Sequence, residues 1–252
     1  MISKEELSEV KNRKKNNLYY EEKEYLQYIF LNSISKFAKD FIFKGGTCLR
    51  LCYGLERASE DLDFNTNLNK KEIKSKVNVF LKDYNLLNIE YEIYSEKEYE
   101  SNLRLEIRFK GPLYMGNPNS TNTLKLDFNK SKVEHKIAKV IGKLFSDVPP
   151  FVLLVMDDKE IISEKIRALI NRRQAKDLYD IWMLIQNKDN LKIDKKMLIR
   201  KLKDEKLKLE DAKNIKFISR QEYETDLKNL VSLLPDYEQV TKEVDVFIKN
   251  LL

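Results

Sequence analysis

Two stretches of the chain hold the residues best placed to do chemistry. In FKGGTCLRLCYGLERASEDLDF, residues 43–64, three of the chain's six glycines precede the alternating aspartates Asp61 and Asp63. In TLKLDFNK, residues 123–130, Asp127 stands in a second alternating run. Alternation along a strand sends residues i and i+2 to one face. With Leu62 and Phe64 inward, Asp61, Asp63 and Asn65 share the polar side; with Leu124, Leu126 and Phe128 inward, so do Lys125, Asp127 and Asn129. If the two strands are neighbours, three carboxylates converge, and like charges repel unless a cation sits among them. Hard oxygen ligands of this kind suit Mg²⁺, which completes its shell with water and substrate phosphates. For an isolated D-x-D, acids merely lining a solvent face are the favoured reading.

The Gly45-Gly46-Thr47 element tips that balance. It follows a strand-like run, FIFK, and opens a helix, where free N–H groups and the helix dipole favour an anion. Glycine lets that backbone approach a phosphate closely, and Thr47 is expected to be the N-cap. A triphosphate on the helix N-terminus would then meet a metal held by the aspartates. Neither GxxxxGK[ST] nor GxGxxG occurs, which excludes a P-loop and a Rossmann fingerprint.

Other chemistries are excluded by residue inventory. His135 is the single histidine, so a two-histidine metal site is impossible, and no partner set for a Ser-His-Asp triad is found. Its segment, KVEHKIAKVIGKLF, is expected to be helical, with His135 at the surface. Cys48 and Cys52, the two cysteines, sit four apart in an expected helix, where a disulfide is geometrically awkward. They suggest apolar fillers in a reducing compartment. With 47 Lys+Arg against 41 Asp+Glu the net charge of +6 permits a polyanionic partner without requiring one. No apolar leader and no long uncharged apolar run is present, so a cytoplasmic protein without a membrane span is expected.

The elements that must position these residues alternate early and turn helical late. A helix over 20–38 precedes the FIFK strand (41–44), and CLRLCYGL forms a helix closing near Gly54. DLDFN is a strand, Lys70 to Tyr84 a helix, and NIEYEIYS (88–95), LRLEIRFK (103–110) and TLKLDFNK (123–130) are strands. FVLLVMD (151–157) reads as one more strand. From Lys159 the pattern is helical through EIISEKIRALINRR and AKDLYDIWMLIQN to the end, with Pro149-Pro150 as a seam. The expected class is α+β: a mixed sheet with flanking helices over 1–150, then a mostly helical C-terminal region over 151–252.

KGGTCLRLCYGLERASEDLDF resembles the signature of the AbiEii/MenT nucleotidyltransferase toxins of the polymerase-β-like superfamily. EKIRALINRRQAKDLYDIW resembles that family's second signature, and YETDLKNLVSLLPDYEQV its C-terminal helices; the likeness spans about residues 22 to 250. The resemblance implies that Lys44, Gly45, Gly46 and Thr47 bind nucleotide phosphates, with Arg57 and Ser59 close by. It implies a metal-binding Asp61-x-Asp63, a third strand carboxylate at Asp127, and an essential Lys165 and Asp177, with Asp180 one turn on. Lys176 departs from the family's usual arginine, which keeps the charge but not a bidentate grip.

The expected reaction is nucleotidyl transfer: an acceptor hydroxyl attacks the α-phosphate of an NTP and pyrophosphate leaves. Asp61, Asp63 and Asp127 would hold Mg²⁺ or Mn²⁺, Asp127 alternatively taking the hydroxyl proton. Lys165 would neutralise the triphosphate, and Asp177 would orient Lys165 or the nucleotide. The family likeness implies an RNA acceptor, the 3′ end of tRNA, and a cognate antitoxin protein. Arg104, Arg108 and Lys110 on one strand face, and the lysine-rich helices after 192, offer a phosphate-tracking surface. A phosphotransferase moving the γ-phosphate would use the same parts. A non-catalytic nucleic-acid-binding regulator and a metal-dependent nuclease are further alternatives. Residues of an ordinary fold could carry the same pattern: Lys165 as a snorkelling surface lysine, Arg172 and Arg173 in a surface ion-pair ladder, and Tyr179 and Trp182 as core packing.

Overall fold

The alternating runs form strands in the computed structural model, which describes residues 1–14, 17–187 and 193–251. The chain divides into two compact units, one comprising Met1–Cys48 with Ser59–Val155, the other Leu49–Ala58 with Met156–Leu252.

The first unit is built on a seven-stranded mixed sheet of order β3-β4-β5-β2-β1-β7-β6. Its strands are β1 (Ile42–Lys44), β2 (Asp61–Asn65), β3 (Glu90–Glu98), β4 (Leu103–Lys110), β5 (Asn122–Asn129), β6 (Lys136–Ile141) and β7 (Phe151–Met156). β4 is antiparallel to both β3 and β5, and β1 is antiparallel to β2; the β2–β5 and β1–β7 pairs are parallel. β4 and β5 alternate strictly between buried and half-buried positions, as a sheet with one face on a core requires. The charged strand β3 and the lysine-bearing β6 close the two edges.

Helices α1 (Lys4–Lys14), α2 (Leu18–Ser35) and α4 (Lys70–Leu86) complete this unit, α2 packing on α1, α4 and β5. Asn17 starts α2 by accepting from Tyr20 N at 3.0 Å. The core between sheet and helices is aromatic. Phe64 is fully buried, with ring centroids of Phe30, Phe41, Phe43 and Phe128 between 5.4 and 6.2 Å away. α2 also buries charge, which must be matched by polar partners. Its Glu22 accepts from Leu113 N (2.7 Å) and Asn122 Nδ2 (3.0 Å), and burial raises the carboxyl above its ordinary range. A Cβ on Gly111 would lie 2.6 Å from Glu22 Oε1, so that backbone must be glycine to admit the carboxylate. Neighbouring Lys23 donates to Thr123 O at 2.8 Å, tying α2 to β5.

The second unit is helical. α5 (Asp158–Arg172) and α6 (Ala175–Gln186) are joined by two residues only, and α7 (Lys195–Asp204), α8 (Leu209–Lys213), α9 (Arg220–Leu227) and α10 (Tyr237–Leu251) follow. Asp157 caps α5 by accepting from Lys159 N, and Arg173 ends it in a left-handed turn with φ 50°. α6 packs on α5, α9 and α10, and α5 on α7 and α8. Residues 49–58 are threaded into this unit: Tyr53 Oη donates to Met156 O and Ala58 N to Leu230 O, each at 2.7 Å. Helix α3 (Gly45–Tyr53) starts in the first unit and ends in the second, and its Cys48 and Cys52 form no disulfide.

Two local expectations are corrected. KVEHKIAKVIGKLF is not helical; its KIAKVI forms β6, and His135 lies exposed just before it. Thr47 is not the N-cap, because α3 begins at Gly45, directly after β1. Among the described residues no helix is long and apolar enough to cross a membrane.

The aromatic core yields a first prediction. Phe64→Ala lowers the unfolding free energy by about 3–5 kcal/mol through lost burial and the cavity left behind. Val79→Ala, at a position 46% exposed, changes it by less than about 0.5 kcal/mol. Denaturant unfolding of the two variants against the parent checks both.

Candidate active site

The β2–β5 pairing sets the chemistry of the first unit. The strands run parallel with Asp63 opposite Asp127 and Asp61 opposite Lys125. On the far side of β2, Lys44 of β1 stands opposite Asp63; on the far side of β5, Arg104 of β4 stands opposite Asp127. One row across four strands therefore reads Lys44, Asp63, Asp127, Arg104. The next row reads Asp61, Lys125, Glu106. Two carboxylates side by side are flanked at both ends by cations.

Asp61, Asp63 and Asp127 are all half-buried. Arg104 donates Nε–H to Asp127 Oδ1 at 2.8 Å. That hydrogen bond, opposed by partial burial and reinforced by the charges of Asp127 and Asp61, raises the guanidinium above its ordinary range. Lys23 also senses Asp61: burial lowers the lysine below its usual range, while the charges of Glu60 and Asp61 partly restore it. Among the described residues no group of three or more acidic, histidine or cysteine side chains is gathered to hold a metal. The donor chemistry nonetheless fits Mg²⁺, because that ion is usually taken by one or two carboxylates with water and substrate phosphates supplying the rest. Asp61 and Asp63, two residues apart on one strand face, are such a pair.

The glycine turn is built against that pair. Gly45 has φ +79°, and a Cβ there would lie 2.1 Å from Asp63 Oδ2 and 2.9 Å from Asp63 Cβ. No other residue lets the Asp63 side chain lie against the backbone at the start of α3. Gly46 is buried in the first turn of that helix, where N–H groups lack intrahelical partners. Thr47, fully buried, donates to the Asp61 carbonyl at 2.6 Å and shares a 2.9 Å hydrogen bond with Ser59 Oγ. Gln27 of α2 donates to the Ser59 and Glu60 carbonyls, each at 3.1 Å. Thr47 and Gln27 thus pin the entry to β2, and with it the position of the two aspartates.

The second unit holds a separate ionic network. Lys165 of α5, 9% exposed, reaches Asp177 Oδ1 at 3.0 Å and Asp180 Oδ2 at 2.7 Å. Both aspartates are fully buried, three residues apart on α6. Arg57 closes a fork on Asp180 through Nε (2.6 Å) and Nη2 (2.8 Å). Arg172 closes a second fork on Asp177 through Nε (2.7 Å) and Nη2 (2.8 Å). The two-residue joint between α5 and α6 makes this second fork possible by folding the end of one helix onto the start of the next. Burial pushes both carboxyls up, but Arg57 and Lys165 hold Asp180 below its ordinary range, and Lys165 and Arg172 do the same for Asp177. Burial likewise opposes the Lys165 charge, and Asp180 and Asp177 outweigh it, raising the ammonium above its ordinary range. Three cations meet two carboxylates here.

The sequence-predicted residues therefore fall into two groups. Lys44, Gly45, Gly46, Thr47, Ser59, Asp61, Asp63 and Asp127 lie in the first unit, and Arg57, Lys165, Asp177 and Asp180 in the second. Sequence reasoning missed the pairing of Arg104 with Asp127 and the fork of Arg172 on Asp177; opposite charge at matching strand positions was the available signal for the first. On β4, each of the three cations expected to form a phosphate-tracking face also has an acidic neighbour. Arg104 binds Asp127, Arg108 lies 3.5 Å from Glu92 and stacks 3.2 Å from the Tyr94 ring centroid, and Lys110 binds Glu90. Tyr179 is core, 2% exposed, and its neighbour Trp182 donates Nε1–H to Glu243 at 2.7 Å.

Comparison with known proteins adds the family. The model of the family described as "Nucleotidyl transferase AbiEii toxin, Type IV TA system" matches residues 29–250. No curated protein matches the chain. Among solved structures, MenT4, a nucleotidyltransferase toxin from Mycobacterium tuberculosis, superposes with a TM-score of 0.70 at 17% identity, covering 97% of this chain and 89% of that one. JHP933 from Helicobacter pylori superposes with a TM-score of 0.57 at 22% identity, covering 90% and 89%. These two likenesses establish the mixed-sheet α+β fold, and the match across residues 29–250 establishes that the chain belongs to the AbiEii nucleotidyltransferase toxin family of type IV toxin–antitoxin systems.

Proposed function

We propose that the protein transfers a nucleoside monophosphate from an NTP to a hydroxyl of an RNA acceptor, the 3′ end of tRNA, with Mg²⁺ or Mn²⁺ as cofactor. It would act in the cytoplasm, paired with an antitoxin protein that restrains it. The observation that carries this reading is the register of β2 against β5 with Gly45 pressed on Asp63. It sets a carboxylate pair beside a helix N-terminus, the two halves of a site for a metal-bound triphosphate.

In this mechanism Asp61 and Asp63 would hold the divalent ion, which would supply positive charge against the phosphates during transfer. The first-turn N–H groups at Gly45, Gly46 and Thr47 take phosphate oxygens, and Lys44 and Ser59 border the same turn. Asp127 accepts the proton of the attacking hydroxyl or joins Asp61 and Asp63 as a ligand. Lys165, oriented by Asp177 and Asp180, contributes positive charge to the triphosphate, a point-charge role suited to an ammonium. Arg57 holds Asp180 in place for that purpose.

Two outcomes test this. With tRNA, Mg²⁺ and each NTP in turn, label from the α-phosphate appears on the RNA in a denaturing gel and label from the γ-phosphate does not; γ-label on RNA or protein would instead identify a phosphotransferase. Asp63→Asn, which keeps the side chain's shape against Gly45, reduces turnover by at least about a hundredfold, the scale expected when a transition-state charge contact is lost, with a melting temperature no lower than the parent's because repulsion with Asp127 is relieved. The ionic network predicts stability as well. Asp180→Asn removes the shared partner of Arg57 and Lys165 and lowers the unfolding free energy by about 3–5 kcal/mol near neutral pH. Because the folded-state pKa values of Asp177 and Asp180 are depressed, their stabilisation is present above the ordinary carboxylate range near about pH 4 and is lost as pH falls below it. Acid unfolding followed by circular dichroism is therefore steeper in the parent than in Asp180→Asn.

A further inference from the structure

The row of charges across β1, β2, β5 and β4 contains a mismatch between backbone and side chains. The backbone sets Asp127 directly beside Asp63, two residues along from Asp61, so three acids share one face. Yet among the described residues no three such side chains are gathered for a metal. Arg104, opposite Asp127 on β4, engages Asp127 Oδ1 through its Nε–H at 2.8 Å. Asp127 is 17% exposed and Arg104 41% exposed, so the contact is open to solvent on the arginine's side. It is also made through one N–H, whereas Arg57 and Arg172 each close a two-bond fork on Asp180 and Asp177. A single charge-assisted bond to a half-exposed guanidinium is the more exchangeable arrangement.

We infer that Arg104 is a positioning residue that holds Asp127 out of the divalent ion's shell in the resting protein, so that the ion is first taken by Asp61 and Asp63 alone. This rests on the metal role proposed above for those two aspartates. Arg104 also serves the fold, because without a counterion Asp63 and Asp127 would repel across a strand pair. A polyanion arriving at this face competes for the guanidinium, and its gain is Asp127's release. The third carboxylate then becomes available to the ion or to a hydroxyl proton only when a phosphate-bearing partner is present. Arg104 thereby couples occupancy of the face to completion of the site.

The test is Mn²⁺ binding to the full chain without nucleotide, followed by electron paramagnetic resonance of free Mn²⁺. It uses the parent, Arg104→Gln, Asp127→Asn and the double variant. Arg104→Gln binds Mn²⁺ about tenfold more tightly than the parent, the scale of one added charge-assisted contact. Asp127→Asn in the parent background changes affinity by less than about twofold, and in the Arg104→Gln background it abolishes the gain. Melting in the presence and absence of Mn²⁺ gives a second measure, since Arg104→Gln is less stable than the parent without the ion and gains more from it. Unchanged affinity in Arg104→Gln overturns the role of Arg104. A gain that persists in the double variant also overturns it, because the effect is then a general field and not a freed Asp127. A parent that binds no Mn²⁺ overturns the metal assignment beneath it, and the two failures are thereby told apart.

Discussion

Repulsion between two carboxylates is the constraint around which the first unit is arranged. Parallel pairing of β2 with β5 forces Asp63 and Asp127 side by side, a juxtaposition that a sheet selected only for stability would avoid. The surroundings are organised to tolerate it. Lys44 and Arg104 bracket the pair, Lys125 faces Asp61, and Gly45 removes the side chain that would evict Asp63. Below the same strands lies the aromatic core of Phe43, Phe64 and Phe128, which pins the register from the other face. A slip of one residue would exchange the phenylalanines for the aspartates, so core packing and acid placement are one specification.

The second unit treats charge differently. There, two aspartates are fully buried and answered by three cations within hydrogen-bond distance. The price of desolvating such a cluster is high, and its value lies in geometry more than in net stability. The fork of Arg57 and the fork of Arg172 fix Asp180 and Asp177, and those two fix the single rotatable ammonium of Lys165 between them. In the first unit, by contrast, the acids remain half-exposed and their cationic neighbours come from adjoining strands. One network is held by two-bond forks on buried carboxylates; the other by a single bond between Arg104 and Asp127.

Much of this was legible in the residues because the physics involved is local. DLDFN and LRLEIRFK form β2 and β4 at the boundaries read from alternation, since each has one apolar and one polar face. Asp177 and Asp180 were seen to share a helix side, and both do contact Lys165. Where the reading went astray, the cause is local ambiguity or distant pairing. KIAKVI is six residues long and carries too few apolar positions for its period to separate strand from helix. Thr47 has a capping residue's chemistry, yet its hydroxyl is committed to Asp61 O and Ser59 Oγ once β1 runs straight into α3. The Arg57–Asp180 fork joins residues 123 apart, and nothing in the spacing of either residue announces the other. The acid beside each cation of β4 likewise comes from a neighbouring strand and is not announced by the strand's own sequence.

The threading of residues 49–58 into the helical unit bears on how the chain is made. Arg57 is synthesised long before Asp180, so during translation from the N-terminus this cation waits, without its fork, for more than a hundred residues to emerge. The helical unit cannot be a late, independent addition to a finished sheet, since part of its own interior is encoded ahead of most strands of that sheet. No single cut in the chain separates the two units, and a gene fragment starting at β7 would encode helices whose buried Asp180 has lost its arginine.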